Sequence, residues 1–316
     1  MQKLLVFIVS FCLIVSFADA QGNRKRRSTS FRIKKQPYKY ELICSLGATN
    51  FLGDLGGANQ IGTNGFKDLE ISLTRPSLGA SMRISLMNYL TAKGNFFWGN
   101  VRGNDKLTLE PARNLRNLNF KSNLFELSGQ LEFNFMKSYK GHVYQIKGVR
   151  GAKHNYKNVF LFAGGGAVHF NPKGFYDGKW YDLQPIGTEG QGRIDPSNPG
   201  NPIKKKYKRT TGIILLGGGI RFAINRYWGF GVELGIRKTF SDYLDDVSTV
   251  YPDKAIYNGD LIAAGLSNPM DPKNPLFTEY ATGLQRGDPT NKDAYMFAEF
   301  TIGYKVTHKK RSRSKF

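Results

Sequence analysis

Apolar residues recur with a period of two along most of the sequence, from residue 38 to residue 306. Between Phe125 and Phe135, apolar residues alternate with Glu126, Ser128 and other polar ones. Successive side chains of a strand point to opposite faces, so this period indicates β-strands. Eight segments show it: residues 38–48, 78–86, 91–101, 125–135, 160–170, 214–224, 228–236 and 295–306.

The face opposite the apolar one decides between a soluble barrel or sandwich and a membrane barrel. It is dominated by small residues, among them Gly79, Ser81, Ala163, Gly165, Gly217, Gly219, Gly229, Gly231 and Gly235. Such residues suit the narrow interior of an eight-stranded barrel better than a surface in water. We therefore predict an all-β, closed antiparallel eight-stranded transmembrane barrel with a filled interior. Its predicted lumen charges are Arg83, Glu126, Glu132, Arg221, Glu233, Arg237 and Glu299.

The links between the predicted strands alternate in length. Tight turns are expected at 87–90 and 225–226, and long Gly-, Pro-, Asn- and Asp-rich links at about 49–75, 101–118, 171–209 and 241–293. Outer-membrane barrels place their short turns in the periplasm and their long loops outside. An even number of strands returns both termini to one side, so we expect periplasmic termini and long extracellular loops.

The first twenty residues predict export. Lys3 precedes an apolar run from Leu4 to Phe17, and Ala18-Asp19-Ala20 gives the small-x-small pattern of a signal-peptidase site. The expected organisation is a signal peptide at 1–20, a basic periplasmic leader at 21–37, the barrel at 38–306 and a basic periplasmic tail at 307–316. The expected location is the outer membrane, and Cys44, the cysteine left after cleavage, is expected to face lipid.

The formal charge of +22 is concentrated in three segments without acidic residues. Residues 21–39 hold eight basic residues, and residues 136–157 and 305–316 hold six each. All three fall on the predicted periplasmic side, so attraction to an acidic partner or to the anionic inner leaflet is expected there. Nucleic acid is not expected as a partner, because the chain is predicted to be exported. The predicted partner-binding residues are Arg24, Lys25, Arg26, Arg27, Lys34, Lys35, Lys147, Arg150, Lys153, Lys309, Lys310, Arg311 and Arg313.

The sequence offers little catalytic or ligand chemistry. His169 is placed near the loop end of its strand on the lumen side, without a recognisable serine and acid partner. The glycine triplets at 164–166 and 217–219 are followed by no Gly-Lys-Ser/Thr, so close packing is the preferred interpretation. Asp242, Asp245, Asp246 and Asp253 have the oxygen ligands for a divalent cation but not the spacing of a calcium loop, and a capped turn or loop base is preferred. We predict no catalytic, cofactor or metal residues.

Three segments carry a family resemblance. Gly231–Tyr251, Asn50–Gly57 and Leu73-Thr-Arg-Pro76 resemble the PorG outer-membrane barrels of Bacteroidetes, which belong to the type IX secretion and gliding apparatus. Tyr243–Ser248 also occurs in other barrels of that phylum. The resemblance implies a barrel that anchors a periplasmic ring, built from a lipoprotein and a soluble partner, to the outer membrane. It implies no catalytic residues.

Two other functions stay open at this point. One is a surface barrel for adhesion or envelope integrity that works through its extracellular loops. The other is a lipid-modifying barrel enzyme centred on His169.

Overall fold

The computed structural model describes residues 40–55, 71–87, 89–107, 111–135, 157–195, 198–202, 204–225, 227–270 and 282–306. Eight long strands form the body, and three short ones lie between the fifth and the sixth of them. In chain order the strands are β1 Tyr40–Leu52, β2 Arg75–Ser85, β3 Leu90–Asn104, β4 Asn119–Asn134, β5 Lys157–Tyr176, β6 Lys179–Asp182, β7 Ile194–Asp195, β8 Asn198–Pro202, β9 Thr210–Ala223, β10 Trp228–Thr239 and β11 Ala294–Val306. Short α-helices occur at Pro111–Arg116, Leu183–Ile186 and Leu261–Ser267, and 3-10 helices at Ile71–Leu73, Asp105–Leu107 and Lys254–Tyr257.

The eight long strands close into an antiparallel barrel. Around the sheet the order is β4, β3, β2, β1, β11, β10, β9 and β5, and β5 then pairs with β4. The first and last strands meet in register from Tyr40 opposite Val306 to Leu52 opposite Ala294. Each strand is hydrogen-bonded on both sides, so the body has no open sheet edge. The predicted fold class is confirmed.

Apolar side chains cover the outside of the barrel. The long strands have 11 to 20 residues, enough to span the apolar layer of a bilayer. Exposed large apolar residues lie on all eight: Leu42, Leu46, Leu78, Met82, Phe96, Phe125, Leu127, Leu131, Phe133, Leu161, Ile214, Leu216, Ile220, Val232, Leu234, Phe300 and Ile302. Cys44 is also exposed on this face. None of the helices in the described ranges is long and apolar enough to cross a membrane.

The faces of β5 were predicted the wrong way round. Phe160, Phe162, Val168 and Phe170 are buried, whereas Leu161, Ala163, Gly165, Ala167 and His169 are exposed. Large side chains fit inside because glycines of β9 make room for them. A Cβ on Gly217 would lie 2.4 Å from Cζ of Phe162, and one on Gly219 would lie 2.7 Å from Cζ of Phe160. The interior therefore combines small residues on some strands with phenylalanines on others.

The connections divide the barrel into two ends. The terminal end carries Tyr40, Val306, the end of β4 and the start of β5. It also carries two short turns, in which Leu86 and Met87 donate to Leu90 O and Ile224 and Asn225 donate to Trp228 O. The loop end carries the links at 53–74, 105–118, 177–209 and 240–293. Both short turns are confirmed, and the strands extend further towards the loop end than the sequence indicated.

Candidate functional site

Arg83 is the centre of an ion-pair network inside the barrel near the terminal end. Its guanidinium lies 2.8 Å from Glu41 Oε2, 2.8 Å from Glu132 Oε2 and 3.2 Å from Glu233 Oε1. Lys93 Nζ lies 2.6 Å from Glu233 Oε2. Glu132 and Glu233 come from strands that are not neighbours of β2, so the contacts cross the interior.

Arg221 completes this interior network through a 2.6 Å contact between its Nη2 and Glu132 Oε2. The network then holds three cations and three carboxylates, contributed by β1, β2, β3, β4, β9 and β10. Such balance matters because an uncompensated charge in a dry interior is expensive. These side chains occupy this part of the lumen, and their ion pairs connect six strands.

A second interior layer lies closer to the loop end. Glu126 accepts hydrogen bonds from Ser128 Oγ at 2.6 Å and Tyr295 Oη at 2.9 Å, and it lies 3.4 Å from Arg237 Nε. The Arg237 guanidinium also stacks over the Phe297 ring at 4.3 Å. Tyr295 is fully buried, because it lies on the inward face of β11 together with Phe297 and Glu299.

The structure places all seven predicted lumen charges in the interior, and six of them form ion pairs. Glu299 is the exception: its described partner is Ser45, whose Oγ lies 3.5 Å from Glu299 Oε1. Sequence reasoning missed Glu41 and Lys93, although both are buried members of the network. On β3 the apolar alternation does not show which face is inward, because Phe96 and Phe97 place aromatic residues on both faces.

The described parts of the four long links form a folded cap at the loop end, which we call the loop cap and which two buried arginines hold together. Arg116 contacts Asp105 Oδ2 at 2.7 Å and donates to the carbonyls of Asp54 and Arg286. Arg286 contacts Glu189 Oε1 at 3.0 Å and donates to the carbonyls of Asp246 and Ser267. Every long link therefore contributes to one connected set of charge-assisted hydrogen bonds within the loop cap.

Buried carboxyl groups gather in the loop cap. Burial raises the pKa of Asp242 to about 7 and that of Asp246 to about 6. Burial, with added repulsion from neighbouring carboxylates, raises the pKa values of Asp245 and Asp293 well above the usual range. Backbone amides of Val247 and Leu244 donate to Asp245 and Asp293.

The predicted alternative of a cation site finds no support in the described part of the chain. There, no group of three or more His, Cys, Asp or Glu residues is arranged to hold a metal ion. Asp253 is exposed and accepts from Ala255 N at the start of the helix Lys254–Tyr257. Asp246 accepts from Tyr207 Oη at 2.6 Å and from Thr188 Oγ1. These carboxyl groups act as caps and loop-base contacts.

His169 lies on the outer wall, which corrects its predicted lumen position. It is exposed, and its Nδ1 lies 3.0 Å from Thr210 Oγ1. The predicted partner-binding residues all fall outside the described residues, as do the signal peptide, the basic leader and the basic tail: Arg24, Lys25, Arg26, Arg27, Lys34, Lys35, Lys147, Arg150, Lys153, Lys309, Lys310, Arg311 and Arg313.

Comparison with known proteins adds a family match and several weak structural similarities. Residues 30–148 match a family described as a domain of unknown function, DUF6089. No curated protein matches the chain. The solved structures include Ail of Yersinia pestis in complex with a heparin analogue, at 8% identity and a TM-score of 0.34 over 85% of this chain and 99% of Ail. They also include Neisserial surface protein A, at 7% identity and 0.33 over 84% and 96%.

A third solved structure is a major outer membrane protein of Thermus thermophilus, at 12% identity and a TM-score of 0.31 over 84% of this chain and 99% of that one. These TM-scores are too low to support any conclusion about this chain. The strand register and the outward apolar surface identify the barrel instead.

Proposed function

We propose that this chain is a non-catalytic outer-membrane barrel that anchors a periplasmic ring of a type IX secretion and gliding apparatus. Its partners are then the ring lipoprotein, the lipoprotein's soluble partner and the lipids of the outer membrane. The observation that carries the proposal is the placement of the chain's connections. Tyr40, Phe135, Lys157 and Val306 all lie at the terminal end, so the three basic segments attach there.

The filled interior supports an anchoring role rather than transport. The charges of the interior network come from six strands and are paired across the lumen. A channel needs an open, hydrated path, as the wide interiors of porins provide. A closed, internally cross-linked body is suited to holding an attached assembly in place.

The electrostatic part of the proposal has a direct test. Arg24, Lys25, Arg26 and Arg27 are changed together to Gln, and co-purification of the periplasmic ring proteins in mild detergent is measured at low and raised salt. Recovery is expected to fall in the variant, and raised salt is expected to lower recovery with the unchanged protein, because exposed charges are screened.

A matched control removes the same number of charges from the loop end. Lys205, Lys208, Arg209 and Lys254 are exposed there, and their change to Gln is expected to leave ring recovery unchanged. Equal recovery with the leader variant at every salt concentration would overturn docking through the basic leader.

The loop cap favours a second candidate function, adhesion or envelope integrity. It exposes apolar side chains that its own core does not cover, including Leu261 at 77% exposure and Ile194 at 58%. Leu261→Ser tests this function without disturbing the Arg286 contacts. Loss of surface attachment with unchanged ring recovery would support adhesion, whereas unchanged attachment would count against it.

A further inference from the structure

Three cations lie side by side on the outer wall of the barrel, near the loop end. Arg102 on β3 is directly opposite Lys121 on β4, and Lys121 is directly opposite Lys173 on β5. All three belong to the outward sets of their strands. Like charges directly opposite one another destabilise a sheet, so this row carries an electrostatic cost in the absence of an anion.

The described residues near the row offset little of its charge. Lys173 Nζ lies 3.1 Å from Asp182 Oδ1, and Lys121 Nζ lies 3.9 Å from the centre of the Trp180 ring. In the described part of the chain, Arg102 Nε is buried and has no hydrogen-bond partner, and the same holds for Nε of Arg75. Neither arginine forms an ion pair with a described residue, so two arginines and two lysines share the single carboxylate of Asp182.

A groove of about 310 Å³ lies beside the row. Arg75, Arg102 and Lys106 supply its cations, and Leu107, Phe175 and Trp180 supply apolar walls. Arginine presents several donors in a rigid planar fork, a geometry that matches the oxygens of a phosphate. The groove therefore combines anion-binding donors with surface for an apolar or sugar-like neighbour.

Residues directly opposite one another on β3, β4 and β5 form outward rows. From the cations towards the terminal end, these rows change from polar to aromatic to apolar, as the residues of membrane barrels do from the interface to the lipid core. Directly beneath lies an amide row of Asn100, Asn123 and Asn171, and beneath that an aromatic row of Trp98, Phe125 and His169. The next row is apolar: Phe96, Leu127 and Ala167.

Alternate residues of a strand are about 6.6 Å apart, so the cations stand roughly 13 Å along the strands from the aromatic row. Trp and Tyr rings gather at the headgroup level of a bilayer, and Trp98 is such a ring. The backbone of the cation row therefore lies on the loop side of that level, and the long arginine and lysine side chains reach back to the lipid phosphates.

We infer that Arg75, Arg102, Lys121 and Lys173 form a binding site for the phosphate of an outer-leaflet glycolipid of the lipid A type. The identity of the lipid rests on the proposed outer-membrane location with the loop end outside. The site itself rests on the aligned charges, the two arginines that line the groove without a described ion pair, and the apolar rows beneath them. Bound phosphate would offset the repulsion along the row and fix the depth of the barrel in the membrane.

The test uses the full-length protein in a neutral detergent and a variant with Arg102→Gln, Lys121→Gln and Lys173→Gln. The control variant, Lys205→Gln, Lys208→Gln and Lys254→Gln, removes the same charge from the loop end. Affinity for diphosphoryl lipid A, for its dephosphorylated form and for inorganic phosphate is measured by native mass spectrometry.

The unchanged protein and the control are expected to bind diphosphoryl lipid A equally, and the row variant about tenfold more weakly. Dephosphorylated lipid A is expected to bind poorly to all three proteins. Equal lipid A affinity in the row variant would overturn the site. Inorganic phosphate binding as tightly as lipid A would overturn the assignment to a lipid.

A second measurement separates lost binding from lost folding. Without anionic lipid, the row variant is expected to melt at the same temperature as the unchanged protein or higher, because the repulsion is gone. A lower melting temperature would contradict the charge argument. Ring recovery is expected to be unchanged in the row variant, so failure of this site is distinguishable from failure of the proposed anchoring function.

Discussion

Arg83 neutralises carboxylates from three different strands in the interior of the barrel. Its side chain is 2% exposed, and Glu41, Glu132 and Glu233 all contact its guanidinium. The sequence identified Arg83 as a lumen charge because its parity on β2 matches that of Gly79 and Ser81. It did not identify the partners, since a period of two fixes the face of a residue but not which residues meet across the lumen.

Arg83→Gln is expected to lower the free energy of unfolding by about 3–5 kcal/mol, because buried carboxylates lose their counterion. Urea unfolding in detergent, followed by tryptophan fluorescence, measures the change. Arg209→Gln, an exposed substitution, serves as the control and is expected to cost less than about 0.5 kcal/mol. A loss in Arg83→Gln no larger than the control would show that the network does not hold the strands.

The loop cap is expected to loosen as pH rises. The pKa of Asp242 in the folded state is about 7 and that of Asp246 about 6, against an ordinary aspartate value of about 3.9. Between about pH 4 and pH 7 the folded cap binds more protons than the unfolded one, so the stability these groups add is complete below pH 4 and lost by about pH 7.

Hydrogen exchange at the amides of Leu244 and Val247, corrected for intrinsic rates, measures this effect. Arg286, Lys238 and Lys292 act against it, since they favour the charged carboxylates. Protection is expected to be higher at pH 5 than at pH 8, and the difference to shrink in Asp245→Asn. Equal protection at both pH values in the unchanged protein would contradict the raised pKa values.

At the scale of elements, strand number, the closed order and both short turns followed from the alternation and the turn chemistry. The faces of β5 did not, because Phe160 and Phe162 alternate with Leu161 and Ala163, and hydrophobicity does not separate the two sets. The glycines of β9 determine which face of β5 is inward, because they leave space for its phenylalanines inside the barrel. The loop cap also escaped prediction, since its arginine contacts join links far apart in the sequence.

Gly217→Val is expected to destabilise the barrel by about 1–3 kcal/mol, because the added side chain overlaps Phe162 and the backbone of β10. Gly129→Val is the matched control, since a Cβ at Gly129 has nothing within 4 Å and the residue is on the outer face. Urea unfolding in the same detergent compares them. Equal stability of the two variants would contradict the packing of β5 phenylalanines against β9 glycines.

At the scale of the whole molecule, the account depends on an apolar outside and a charged, filled inside. Leu127, Leu234 and Phe300 are about half exposed or more, whereas Glu126 and Glu233 on the same strands are buried. A protein in water would reverse this arrangement, because exposed apolar surface on that scale promotes association. The proposed anchoring role and the proposed glycolipid site both depend on the orientation of these side chains.

The most direct test is spin labelling of single cysteines in a Cys44→Ser background, with the barrel reconstituted in lipid vesicles. Labels replacing Leu127, Leu234 and Phe300 are expected to be highly accessible to oxygen, which concentrates in lipid, and poorly accessible to a water-soluble nickel reagent. Labels at all three positions that are reached by neither reagent, in a protein that folds without detergent, would contradict the account.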